Sequence, residues 1–157
     1  MFSIEENIIL GRQREKLFNS TFSLDQKHIS AFSSEIVKEY NVRASSLKQP
    51  VRGLSGGNQQ KIVVGRELTK EVPLIVACHP TRGLDIGATE FVHESILAAR
   101  NEGKAILLVS SDLTELLTLS DRIAVMFKVE IVTIRDARKC TEFDLGLYMS
   151  GALKKSA

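Results

Sequence analysis

Two short apolar runs, Pro73-Leu74-Ile75-Val76-Ala77-Cys78 and Ala105-Ile106-Leu107-Leu108-Val109, stand on either side of a segment with helical periodicity. Runs of five or six apolar residues bounded by turn residues read as buried strands. Between them, Ile86 to about Asn101 carries Phe91, Val92, Ile96 and Leu97 in helical phase and closes at Gly103, a C-terminal stop. Strand, helix and strand in succession predict an α/β chain with a largely parallel sheet. The alternation continues with a short helix from Asp112 to about Leu119, a third strand over Ile123 to Phe127, a fourth over Glu130 to Ile134, and a final helix from about Thr141 to Met149. In such sheets ligands gather at the carboxyl ends of strands, which directs attention to Cys78 to Asp85 and to Ser110 to Asp112.

The first third of the chain reads differently. Met1 to about Leu47 is polar and helical in pattern, with Ile29, Phe32, Ile36 and Val37 at helical spacing and a shorter apolar patch at Ile8, Ile9 and Leu10. Pro50 and Gly53 then mark a turn, Ser55 is a good N-cap, and Ile62, Val63, Val64 and Leu68 give an apolar side to a helix ending near Leu68. A helix N-terminus leaves backbone N–H groups unpaired and carries the positive end of the macrodipole, so it favours phosphate oxygens. Gly56 and Gly57 let an anion approach the backbone, and Ser55, Asn58 and Gln59 add side-chain hydrogen-bonding groups. Taken alone, the stretch is equally a glycine-containing helix start that only turns the chain.

The 157 residues suit one domain or a part of a larger one, and 43% hydrophobic with 25% charged residues is an ordinary globular composition. A formal charge of +2, with no basic stripe interleaved with aromatics, gives no footprint for nucleic acid, and the Lys154-Lys155 pair reads as a solvated tail. Cys78 and Cys140 are too few and too differently placed for a disulfide framework or a zinc site, so a reducing cytoplasm is the expected compartment. No apolar run approaches the roughly 20 residues that span a bilayer, so any membrane association is expected through a partner.

In order along the chain, Leu54-Ser55-Gly56-Gly57-Asn58-Gln59-Gln60-Lys61, an apolar strand ending in Pro80-Thr81-Arg82-Gly83-Leu84-Asp85, a second ending in Ser110-Ser111-Asp112-Leu113, and then Ser120-Asp121-Arg122-Ile123 resemble the signature, Walker B and switch regions of ABC-type ATPases. The series covers roughly residues 4 to 151, and its order is far more specific than any member. Asn58-Gln59-Gln60-Lys61, Pro80 to Ala88, and Leu145-Gly146-Leu147-Tyr148-Met149-Ser150-Gly151 are similar to the second nucleotide-binding domain of bacterial sugar and nucleoside import ATPases. The resemblance implies a partial P-loop NTPase fold of the RecA-like three-layer kind plus the ABC helical subdomain. Residues 1–70 would be the helical subdomain with the signature, and residues 71–157 the C-terminal part of the ATPase core.

The sequence has no G-x-x-x-x-G-K-S/T loop, since the one Gly-Lys pair, Gly103-Lys104, is followed by Ala105 and has Ala98 where the first glycine belongs. The family carries that Walker A loop amino-terminal to the region matched here, so the chain is expected to be the carboxyl portion of a domain, with exposed sheet edge or apolar surface and a tendency to self-associate. Where the family's Walker B strand ends in Asp-Glu, this chain has Cys78 and His79, and Ser111 replaces the switch histidine. Cys78 is a poor substitute for a hard oxygen ligand of Mg²⁺. His79 could accept a proton or be packed and hydrogen-bonded, and His28 and His93 read as solvated or packed helix residues. No catalytic or metal-binding residue is therefore assigned, and the isolated chain is expected to release no phosphate above background.

The resemblance further implies that Ser55, Gly56, Gly57 and Asn58 reach the γ-phosphate of ATP held by a partner domain, with Gln59 supporting that contact. Mg²⁺ would be held mainly by the same partner. Asp85 would lie at the interdomain contact near the partner's P-loop, and it is also placed to cap the helix beginning at Ile86. Expected partners are a second nucleotide-binding domain and membrane permease subunits, with the chain peripheral to the inner face of the cell membrane. The alternative is a truncated non-catalytic module that docks on ABC subunits or permeases.

Overall fold

A computed structural model describes residues 2–19 and 23–153, so the Lys154-Lys155 pair lies outside the described residues. The elements are α1 (Ile4–Ile8), α2 (Gln26–Glu39), α3 (Gly56–Leu68), β1 (Leu74–Cys78), α4 (Ile86–Asn101), β2 (Ala105–Val109), α5 (Leu113–Leu119), β3 (Arg122–Phe127), β4 (Glu130–Asp136) and α6 (Glu142–Met149), with single 3-10 turns at Val51–Gly53 and Ala137–Lys139. By compactness they fall into two units, Met1–Ile75 with Thr81–Ala105, and Val76–Pro80 with Ile106–Ala157.

The first unit is helical because its sequence supplies both caps and apolar stripes. Ser3, Asp25, Ser55 and Asp85 each accept from a backbone N–H in the first turn of α1, α2, α3 and α4 respectively. Helix α3 packs on α1, α2 and α4. Its buried residues include Ile62 and Leu68, while Ile4 and Ile8 of α1 and Ile36 of α2 are buried as well. The α3–α2 approach needs Gly65, because an ideal Cβ there would stand 2.7 Å from Ile36 Cγ2. Tyr40, at the end of α2, sits against the same glycine and edge-on to Phe91 of α4. Burial pushes its phenol up to about 12, with the negative charges of Glu39 and Glu102 adding to the shift.

Residues 9–18 are not the helix that the pattern suggested. Helix α1 stops at Ile8 with Ile9 as its C-cap, and the chain then proceeds through successive turns in which Gly11 takes a φ of 81°. The buried Arg12 organises that segment, donating Nε and Nη2 to the two carboxylate oxygens of Glu15 at 2.8 and 2.9 Å and lying 5.3 and 4.7 Å from the ring centres of Phe18 and Phe32. Ile9, Phe18 and Ile29 form the small core beneath it.

In the second unit β3 and β4 pair antiparallel, from Arg122 opposite Asp136 to Phe127 opposite Glu130, with an irregularity between Val125 and Met126. Only Lys128 and Val129 connect them, both at positive φ (49° and 68°), as a two-residue type I′ hairpin requires. Ile123, Val125, Ala137, Leu145 and Tyr148 make its core, with α5 contributing Leu113, Leu116 and Leu117.

The α/β class holds, but the four strands form two two-stranded sheets among the described residues, β1 with β2 and β3 with β4. The flanking bonds of the first pair join like ends, Ala105 N to Pro73 O and His79 N to Val109 O, which makes it parallel. The expectation that both apolar runs are buried needs correcting. Ile75 is buried and Ala77, Ile106 and Leu108 are half-buried, whereas Leu74, Val76, Cys78, Leu107 and Val109 are exposed. Only alternate side chains in each strand are packed, so each strand is apolar on both faces and covered on one.

Candidate functional site

The turn into α3 is built by side chains binding backbone. Ser55 adopts φ −62° and ψ 155° as N-cap. Its Oγ accepts from Asn58 N at 3.4 Å and from Asn58 Nδ2 at 3.0 Å. Asn58 Oδ1 in turn accepts from Arg43 N at 2.8 Å. Gln59 pins the approach to the helix, its Nε2 donating to Leu54 O at 2.8 Å while its backbone N donates to Ser55 O at 2.9 Å.

The two glycines have different reasons to be glycine. An ideal Cβ on Gly56 would meet nothing within 4 Å, so this position is open to whatever approaches the helix end. On Gly57 it would lie 3.1 Å from Ala88 Cβ and 3.7 Å from Asp85 Oδ2, so this position lets the start of α4 come close. Asp85 caps α4, its Oδ1 accepting from Ala88 N at 2.8 Å. Ser55, Gly56, Gly57, Asn58, Gln59 and Asp85 are thus gathered where two helix N-termini lie side by side. Each terminus presents unpaired N–H groups and the positive end of a dipole, and one carboxylate stands between them.

Three further positions support this turn: Arg43 and Asn41, which the sequence did not single out, and Lys61, which it marked only as the end of the motif. Arg43 supplies the backbone N–H that orients Asn58. Lys61 Nζ donates to Asn41 O at 3.1 Å and lies 4.7 Å from the Phe91 ring centre. Asn41 takes φ 47° and ends α2. An Asn just past a helical stretch is a recognisable left-handed cap, and that signal could have marked the segment.

In the second unit, Cys78 is exposed at the end of β1. His79 follows it at φ 48°, a left-handed conformation that strains a non-glycine residue, and donates its backbone N to Val109 O at 2.8 Å. After β2, Ser110 Oγ accepts from Asp112 N at 3.0 Å, and Asp112 caps α5 through Glu115 N at 3.1 Å. Ser111 is exposed beside them. Among the described residues no group of three or more His, Cys, Asp or Glu gathers as a metal site.

No family model matches the chain. It is 42% identical over 156 residues to the guanosine import ATP-binding protein NupO of Bacillus subtilis, covering 99% of this chain and 31% of that protein. It is 38% identical over 149 residues to the nucleoside import ATP-binding protein NupA of Lactococcus lactis (95% and 29%), and 35% identical over 153 residues to the ribose import ATP-binding protein RbsA of Halalkalibacterium halodurans (98% and 30%). The chain is a homologue of ABC import ATP-binding proteins. It spans about 30% of the length of these relatives. Solved ABC structures share its fold at low identity. An ABC transporter in an inward-facing conformation matches with a TM-score of 0.77 at 17% identity, over 96% of this chain and 59% of that one. A dimeric bacterial ABC transporter cassette matches with a TM-score of 0.69 at 21% identity, over 89% and 59%. The signature resemblance to the ABC family falls on the Ser55 cap of α3, the Walker B resemblance on β1 and the turn after it, and the switch resemblance on the end of β2.

Proposed function

We propose that this chain works as part of the ATP-binding subunit of an ABC importer of the nucleoside or sugar kind, supplying its Ser55 turn to ATP held by another nucleotide-binding domain. The observation that carries the reading is the start of α3. The Gly56 and Gly57 amides have no intrahelical acceptor at that position, Gly56 is unobstructed, and the exposed Ser55 hydroxyl stands beside them. An oxyanion fits this set of donors. ATP would bring the γ-phosphate as their acceptor, and Mg²⁺ would be held mainly by the partner domain. Asp85 supports the same reading as a carboxylate at the edge of the site, toward the partner's P-loop, while it also caps α4.

Residues 1–70 are the helical subdomain in this proposal and residues 71–157 the C-terminal part of a RecA-like core. No helix among the described residues is long and apolar enough to cross a membrane. The chain would reach the inner face of the cell membrane through permease subunits. The test is Ser55→Arg in the assembled importer, where a bulky cation blocks the turn. ATPase activity and uptake are expected to collapse, and unchanged turnover would overturn the proposal.

One observation favours a second reading. Val76, Leu107 and Val109 leave an uncovered apolar row, as a docking module would. Nucleotide-independent binding to isolated permease subunits, combined with indifference to Ser55→Arg, would select it.

A further inference from the structure

We infer that Asn58 is a positioning residue that fixes the polarity of the Ser55 hydroxyl, so that Ser55 meets an anion as a hydrogen-bond donor. The inference rests on the proposed role of the Ser55 turn in holding phosphate and names how the turn is set.

A serine hydroxyl has one proton and two lone pairs, and an unconstrained one can donate or accept. Here two N–H donors converge on Oγ, the backbone N of Asn58 at 3.4 Å and its side-chain Nδ2 at 3.0 Å. Both lone pairs are engaged. The proton is the capacity that remains, and it must point away from Asn58. Ser55 is exposed, so that direction is outward, where an acceptor is presented with a donor.

A side-chain amide can turn over and exchange its oxygen with its nitrogen. What holds this one is Arg43 N–H, a group that can only donate and that lies 2.8 Å from the amide. The oxygen must face Arg43, so the nitrogen faces Ser55. Arg43 is itself held by the end of α2. Asn41 N donates to Lys38 O at 3.2 Å, Val42 N donates to Val37 O at 2.9 Å, and Lys61 Nζ grips Asn41 O at 3.1 Å. Asn58 and Lys61 are three residues apart on α3 and meet the same segment. A line of fixed polarity therefore runs from the α2 terminus through Asn58 to the serine proton.

Asn58→Asp tests this closely because it keeps the shape. The new carboxylate still accepts from Arg43 N–H, yet it offers Ser55 an acceptor. The hydroxyl then turns its proton inward and shows a lone pair to phosphate. The added charge also repels phosphate, and a double-mutant cycle separates the two effects. In the assembled importer, Asn58→Asp is expected to lower ATP turnover by roughly a hundredfold to a thousandfold, the scale of losing an oriented oxyanion donor. In a Ser55→Ala background the same change should cost much less, because the hydroxyl it acts through is gone. Equal losses in both backgrounds, or wild-type turnover in the single variant, would overturn the inference.

A second measurement does not depend on turnover. In the ¹⁵N-labelled chain, the Asn58 Nδ2 proton that faces Ser55 should shift on Ser55→Ala while its geminal partner moves little. No response of either proton to Ser55→Ala would also overturn it. Normal turnover after Ser55→Arg would instead defeat the proposed function and leave the amide spectrum as predicted, so the two failures are told apart.

Discussion

Gly65 lies where α3 crosses the end of α2, with space for no side chain. An ideal Cβ would sit 2.7 Å from Ile36 Cγ2 and 3.1 Å from Tyr40 Cδ2. Gly65→Ala gains helix propensity but must displace two buried side chains, and the steric cost dominates at this closeness. A net destabilisation of about 1–3 kcal/mol is expected, read as a lower urea midpoint with an unchanged m-value. A midpoint at or above wild type would show that α2 yields freely. The sequence shows Gly65 as a glycine inside a helical stretch and gives no sign of what it faces. Ser55 differs, because an N-cap acts within four residues and its chemistry can be read from the chain alone. The orientation of Asn58 depends on Arg43, fifteen residues earlier in sequence, and is legible only once α2 and α3 are packed.

Helix starts were the most readable elements because their causes are local. Asp85, Asp112 and Thr141 each accept from a first-turn backbone N–H, and α4, α5 and α6 begin immediately after them. Asp85 allows capping to be separated from charge. Asp85→Ala removes the acceptor for Ala88 N and is expected to cost about 1 kcal/mol of stability, whereas Asp85→Asn keeps an acceptor and should cost only a few tenths. Thermal or urea unfolding of the two variants checks this. If the carboxylate also serves the partner's P-loop, both variants should lower turnover in the assembled importer alike, although the first costs far more stability than the second. The hairpin was less legible. Lys128-Val129 lacks the Asn-Gly or Asp-Gly character that signals a type I′ turn, so the positive φ values of both residues had no sequence warning.

On the scale of the molecule, the apolar rows left open on β1 and β2 have a measurable consequence. Val76 is 62% and Leu107 52% exposed, and both belong to parallel strands of the kind that proteins cover on both faces. Exposed apolar strand surface promotes association between copies. Changing Val76→Thr and Leu107→Thr together keeps β-branched or strand-compatible side chains while adding hydroxyls. The double variant is expected to sediment as smaller species than the wild-type chain at equal concentration. An unchanged distribution would remove these rows from the account of self-association.

The sequence by itself determined the α/β class, the bounds of α3, α4, α5 and α6, the Ser55 and Asp85 caps, and the ordered motifs that mark an ABC homologue. All of these depend on residues close together in the chain, where capping, periodicity and turn chemistry act. Tertiary structure decided what depends on distant segments meeting. It set which face of β1 and β2 is packed, the pairing of β3 with β4 as a separate hairpin, the placement of Asp85 beside Gly57, and the direction of the Ser55 proton. The physical reason is that a side chain's donors and faces are fixed by the groups that reach it, and here those groups come from other elements.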